Sequence, residues 1–139
     1  MMIGLDTNVL ARYYVIDQSD AEAVRQRPLA QRLIESDKKL AVSKTVILEL
    51  EWLLRGYYQH DRAQVLTVLH HLLSRTNVLI EDTQTVTRAL ASYKSGVAFG
   101  DALHHASYSN CDSMASFDDR KFARRVAALG LLPPVTVLR

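Results

Sequence analysis

Strands alternating with helices predict an α/β fold, a three-layer αβα sandwich around a central parallel sheet. Three observations carry this. Short apolar runs alternate with longer stretches of helical periodicity along the whole chain. The short runs are apolar without alternation, as strands buried on both faces require. The length, 139 residues, is that of one domain able to bury a core without staples, so a single domain over 1–139 is expected.

The elements follow in order. IGL, residues 3–5, is too short for a buried helix and reads as the first strand. Residues 7–15 are helical. Residues 19–37 carry Ala21, Val24, Leu29, Leu33 and Ile34 at helical spacing, with Pro28 expected to kink or break the helix. KLAVS is the second strand. Residues 45–56 are strongly helical, and Gly56 suits the end. Residues 61–75 form a helix capped by Asp61, with Val65, Leu69, Leu72 and Leu73 on one face. NVLIED is the third strand. Residues 85–94 and 99–110 are helical, DSMAS is a short strand, and 119–129 is a helix ended by Gly130. PVTVL, led by Pro133 and Pro134, closes the chain as a strand.

Composition narrows the function. One cysteine, Cys111, excludes an internal disulfide and a cysteine-rich zinc site. It makes a reducing, cytoplasmic location the expectation. No apolar run reaches membrane-spanning length, and the first residues lack the pattern of a signal peptide. A net charge of +2 is too weak to argue nucleic-acid binding by itself.

The chemistry lies in the carboxylates. Parallel α/β sheets place ligands beyond the carboxyl ends of their strands. Asp6 follows the first strand there, and Asp118 and Asp119 follow DSMAS in the same sense. Each is also a good helix cap. In TVILELEWLL the wheel puts Val46, Leu50, Leu53, Leu54 and Tyr57 on one side, with Leu48 and Trp52 covering much of the rest. The helix should therefore be largely buried. Glu49 and Glu51 interrupt it, and each either reaches solvent or pairs with Arg55 or Lys44; the wheel does not choose between them. Asp101 opens an apolar helix and reads as a cap or as a ligand, alone or with His105 one turn on. His104, His70 and His71 read as surface or core polarity. Converging acids would need a cation to offset their repulsion. An all-oxygen set suits a hard ion, Mg²⁺ or Mn²⁺, and with it phosphate or phosphodiester hydrolysis.

Four motifs, IGLDTNVL, TVILELEWLL, FGDALHHA and SFDDRKFARR, resemble in order those of the PIN-domain ribonucleases, of the kind that act as VapC toxins in toxin–antitoxin pairs. The resemblance covers almost the whole chain. It implies a metal-dependent endoribonuclease with Asp6, Glu49, Asp101 and Asp118 as its four acids. Asp119 is an alternative to Asp118, and Thr7, Asn8 and Ser116 would support the acids by hydrogen bonds. Asp6 and Asp101 would be the principal Mg²⁺ (or Mn²⁺) ligands, with Glu49 and Asp118 holding outer waters. Relatives often carry an acid three residues before the third acid; here that position is Ala98. The resemblance also implies a homodimer and a cognate antitoxin whose tail lies in a groove. Leu33 and Ile34 are candidate contacts for either partner.

RNA approaching an acidic pocket needs a basic rim. Arg12, Lys44, Arg55, Arg120, Lys121, Arg124 and Arg125 flank the acid motifs, although 120–125 also reads as a solvated helix face. Tyr13 and Tyr14 stack on bases or pack in the core. Nearby Ser and Thr lack a histidine partner at recognisable spacing, so no covalent nucleophile is expected. A catalytically degenerate binding module and a metal-dependent phosphatase are the rival readings.

Overall fold

Met2–Gly4 (β1), Lys39–Val42 (β2) and Val78–Ile80 (β3) form an all-parallel sheet in the order β1-β2-β3. The register sets Ile3 opposite Leu40 and Leu40 opposite Val78. The computed structural model describes residues 1–139, and this sheet belongs to the first of two compact units, Met1–Thr83 and Gln84–Arg139.

In the first unit the crossovers are helical, as parallel pairing demands. Thr7–Tyr14 (α1) and Ala21–Ile34 (α2) join β1 to β2. Lys44–Trp52 (α3), a π-helical turn over Leu53–Tyr57 and Arg62–Ser74 (α4) join β2 to β3. Polar side chains start each helix. Asp20 accepts from the amides of Glu22 and Ala23 at 2.9 and 3.3 Å. Ser43 accepts from Val46 N at 3.2 Å. Asp61 and Gln64 form a reciprocal capping box with two 2.8 Å bonds. Leu10, Ile34, Leu40, Ile47, Leu50, Leu54, Val65, Leu69 and Leu72 make the core.

Several expectations are corrected. Pro28 does not end α2, which runs through it as one element; the residues after it still bury Ala30 and Ile34. Ile34 is fully buried and so presents no surface to a partner. Gly56 does not terminate its helix, which runs on through the π turn to Tyr57, and Gln59 takes the left-handed conformation (φ 56°) instead. The third strand alternates, with Val78 and Ile80 buried and Leu79 49% exposed. Asn77 is not a strand residue. Its Nδ2 donates to the carbonyls of Ile34, Ser36 and Lys38 at 3.1 Å each, which clamps the turn between α2 and β2.

The second unit takes up Thr83–Lys94 (α5) from its second residue onward, then Phe99–Ser107 (α6), Met114–Ser116 (β4), Phe122–Leu129 (α7) and Val135–Val137 (β5). β4 and β5 pair in parallel, Ser116 opposite Val137. Gly96 (φ +108°) makes the sharp link between α5 and α6, a conformation that disfavours any side chain. Gly130 closes α7 in the left-handed region (φ 64°). Val86, Leu90, Tyr93, Phe99, Leu103, Phe122 and Val126 form this core, with Tyr93 edge-on to Phe99 at 5.5 Å. α6 stops three residues short of the expected end, and α7 starts three residues late because Asp118 builds a turn ahead of it.

Leu50 is wholly buried, so Leu50→Ala should lower stability by about 2–5 kcal/mol. Asp61→Ala, which removes the capping box, should cost about 0.5–2 kcal/mol. Urea denaturation monitored by circular dichroism measures both.

Candidate active site

Asp6 stands one residue past Leu5, whose amide still pairs with Ala41 O at 2.9 Å. The acid therefore sits at the carboxyl end of β1. Its Oδ1 accepts from Thr7 N at 2.7 Å and starts α1. The cap is real, but it uses one oxygen; Oδ2 is open. The Thr7 hydroxyl is buried with no partner, so Thr7 supports Asp6 through its amide. Asn8 is exposed and makes no hydrogen bond to the acids.

The two glutamates of α3 part company. Glu51 is 2% exposed, and its Oε2 accepts from Arg55 Nε at 2.8 Å. Glu49 is exposed and has no hydrogen-bond or ion-pair partner. The expectation that α3 is buried nearly all round is corrected. Ile47, Leu50, Glu51 and Leu54 face inward, while Trp52 and Tyr57 are 59% and 67% exposed.

In the second unit, Asp101 is not a cap. Ala98 holds the cap position and offers no side-chain acceptor. Asp101 lies in the first turn of α6, half-buried, with no hydrogen-bond or ion-pair partner. The positive end of the helix lies beside it and favours negative charge there. His105 cannot join it on a metal. Its ring is buried, and Nε2 donates to Pro133 O at 2.7 Å. His104 is exposed.

Asp118 Oδ1 accepts from the amides of Arg120 and Lys121 at 3.2 and 3.1 Å. Its own amide donates to Ser116 Oγ at 3.0 Å. The Lys121 amide, helped by those of Phe122 and Arg120, holds its carboxyl below the usual aspartate range. Asp119 pairs with Arg139 at 3.7 Å.

The cations divide as well. Arg12 is bound to Gln26 (2.9 Å), Tyr58 (3.3 Å) and Asp20 (3.9 Å). Lys44 Nζ lies 3.1 Å from Asp82. Arg125 donates to Gly96 O at 3.2 Å. Arg120, Lys121 and Arg124 are exposed. Tyr13 and Tyr14 pack edge-on at 4.9 Å, and Tyr14 is bonded to His71 Nδ1 at 2.8 Å. Burial, with Tyr13 adding and Arg75 opposing, pushes the Tyr14 hydroxyl well above its ordinary value, so it stays protonated and donates. What the sequence reading missed is the exposed pair Trp52 and Tyr57; the π turn behind it has no clear sequence signal.

Asp6, Glu49 and Asp101 thus keep open carboxylate oxygens, and the one histidine near them in sequence that is buried is committed elsewhere. Carboxylate oxygens are donors of the kind that hard divalent ions take. Within neither unit do three or more His, Cys, Asp or Glu side chains gather as a cage.

Parallel strands and helical crossovers define an α/β protein with acids at the carboxyl ends of its strands. Residues 3–129 match the PIN domain, and the chain belongs to that family. The β1-β2-β3 sheet and its helices fit the family's three-layer α/β sandwich. PIN domains are in general metal-dependent nucleases acting on RNA. No curated protein matches the chain.

Glu49→Gln should change stability by no more than about 0.5 kcal/mol. Arg55→Ala, which strips a buried carboxylate of its cation, should cost about 1–3 kcal/mol. Denaturant midpoints separate the two. Asp118, its folded pKa depressed, should contribute stability above its unfolded pKa and lose it as pH falls through the lower folded value. Carboxyl NMR titration should place it below the other aspartates, and Ser116→Ala should reduce that difference if Ser116 holds the turn.

Proposed function

We propose that the chain is a Mg²⁺-dependent endoribonuclease (Mn²⁺ serving in its place) and the toxin of a toxin–antitoxin pair. Family membership and the order of the acid motifs support this. The observation that carries it is Asp101, a half-buried carboxylate that neither caps its helix nor meets a counter-ion. A carboxylate so placed keeps both oxygens free to serve a cation.

Asp6 and Asp101 would hold the ion, and Glu49 and Asp118 would hold its outer waters. A bound Mg²⁺ lowers the pKa of a water and neutralises charge on the phosphate. The chain's own part is orientation. The Thr7 amide fixes the Asp6 carboxylate through Oδ1 and leaves Oδ2 to act. Ser116 and the amides of residues 120 and 121 fix the Asp118 turn. Asp118, its carboxyl held below the usual range by the Lys121 amide, would accept from a water. Exposed Arg120, Lys121 and Arg124 supply positive charge for the RNA backbone, and Arg12 and Lys44, held by partners within their own unit, contribute weakly.

The antitoxin contact is proposed at the groove of about 270 Å³ lined by Val9, Arg12, Gln26, Leu29, Ala30 and Leu33. A homodimer and a cytoplasmic location complete the proposal, together with one functional domain over 1–139.

The test is cleavage of RNA by purified protein with Mg²⁺ and with chelator. Chelation should abolish it. Asp6→Asn and Asp101→Asn should each reduce the rate by ~100-fold or more while leaving the circular dichroism spectrum unchanged. Full activity in either variant would refute the reading. Turnover of a generic phosphate ester in place of RNA would make the protein a phosphatase.

A further inference from the structure

Burying a large aromatic side chain is worth a few kcal/mol, yet the chain's single tryptophan is 59% exposed and Tyr57 is 67% exposed. Both belong to one continuous helical segment, α3 and its π turn. We propose that Trp52 and Tyr57 form a stacking platform for unpaired bases of the RNA strand, next to Glu49. The identity of the ligand rests on the ribonuclease reading; the platform rests on the following geometry.

Trp52 follows Glu49 by three residues, so the two are neighbours on the exposed side of α3. In a regular α-helix, Tyr57 would point away from Trp52, about 140° round the axis. A π turn closes i to i+5 and stacks those positions. The π register is recorded by Tyr58 N to Leu53 O at 3.1 Å, and the turn closes with His60 N to Leu54 O at 2.9 Å. It therefore brings the two backbone positions to one side of the segment.

Gly56 lies beneath the indole. A methyl group built there would meet Trp52 Cε2 at 3.9 Å. Tyr57 stands edge-on to Tyr58 at 4.8 Å, and the Tyr58 hydroxyl accepts from Arg12 at 3.3 Å. The Tyr57 ring is thus supported before any ligand arrives, which limits the entropy lost on binding.

The chemistry of the face selects the occupant. Leu54 and Leu50 are turned inward, so the face offers rings and charge rather than aliphatic side chains. What faces out is two rings, the cation of Arg55 and the carboxylate of Glu49. Aromatic faces beside a cation are what single-stranded nucleic acid takes, since every base offers a π face. The position of Glu49 places the platform beside an acid of the proposed site.

Because Trp52 is the chain's one tryptophan, its fluorescence reports this site alone. The full chain, held in chelator so that nothing is cleaved, is titrated with a short single-stranded oligoribonucleotide and with its duplex. Saturable quenching by the single strand, and much less by the duplex, is expected. Tyr57→Ala should weaken that binding about 5-fold or more. With Mg²⁺, Trp52→Ala should raise KM about 10-fold with kcat little changed, and Trp52→Phe should restore KM. Should Trp52→Ala fail to fold, Trp52→Phe and Tyr57→Ala carry the test.

Emission indifferent to RNA in a protein that cleaves RNA would overturn the platform and leave the ribonuclease reading intact. Quenching in a protein that cleaves nothing would keep the platform and remove that reading. A blue shift that grows with protein concentration, with no response to RNA, would assign the face to a second copy of the chain and overturn the proposal.

Discussion

The pair between Glu51 and Arg55 sets the rotation of α3, and the exposed chemistry of the first unit depends on that rotation. Glu51 can lie in the interior because Arg55, one turn on, reaches it at 2.8 Å. An unpaired carboxylate there would cost several kcal/mol. With Glu51 turned in, Glu49 is about 200° away round the helix and must face out. Trp52 follows Glu49 outward. One ion pair thus separates a buried acid from an exposed one two residues away.

Asp6 and Asp118 show that a local structural role need not exhaust a carboxylate. Each uses Oδ1 on nearby backbone amides, the one to begin α1 and the other to build the turn before α7. A carboxylate has about four lone-pair sites, so such bonds orient it without exhausting it. Asp101 and Glu49 are the opposite case, with no bonds of their own. Each unit thus carries one fixed acid and one uncommitted acid. The PIN family puts such acids to metal-dependent nuclease work.

The π turn over Leu53–Tyr57 is the other local device. Ordinary α-geometry would scatter the aromatic residues of EWLLRGYY around the axis. The wider turn leaves Trp52 and Tyr57 exposed, keeps Leu54 in the core and lets Tyr58 reach Arg12. Core packing and an outward aromatic face are met together in one short segment.

The order of strands and helices was legible in the sequence because period and turn chemistry are local. Asp61, Gly130 and the short apolar runs marked their elements correctly. The acid motifs were legible too, since DTN after a strand and DD after another are local patterns. Tertiary structure decided what those patterns could not. Which glutamate of α3 turns inward depends on the partner that reaches it and on how the helix docks. Whether Asp101 caps or stands open depends on where α6 begins. Trp52 counted as core by its type, but exposure is a property of the packed surface. Asn77 became a clamp because three carbonyls 39–43 residues away in sequence came within 3.1 Å of it. A side chain's type is written in the sequence; its neighbours, and so its charge partners and its exposure, exist only once the chain has folded.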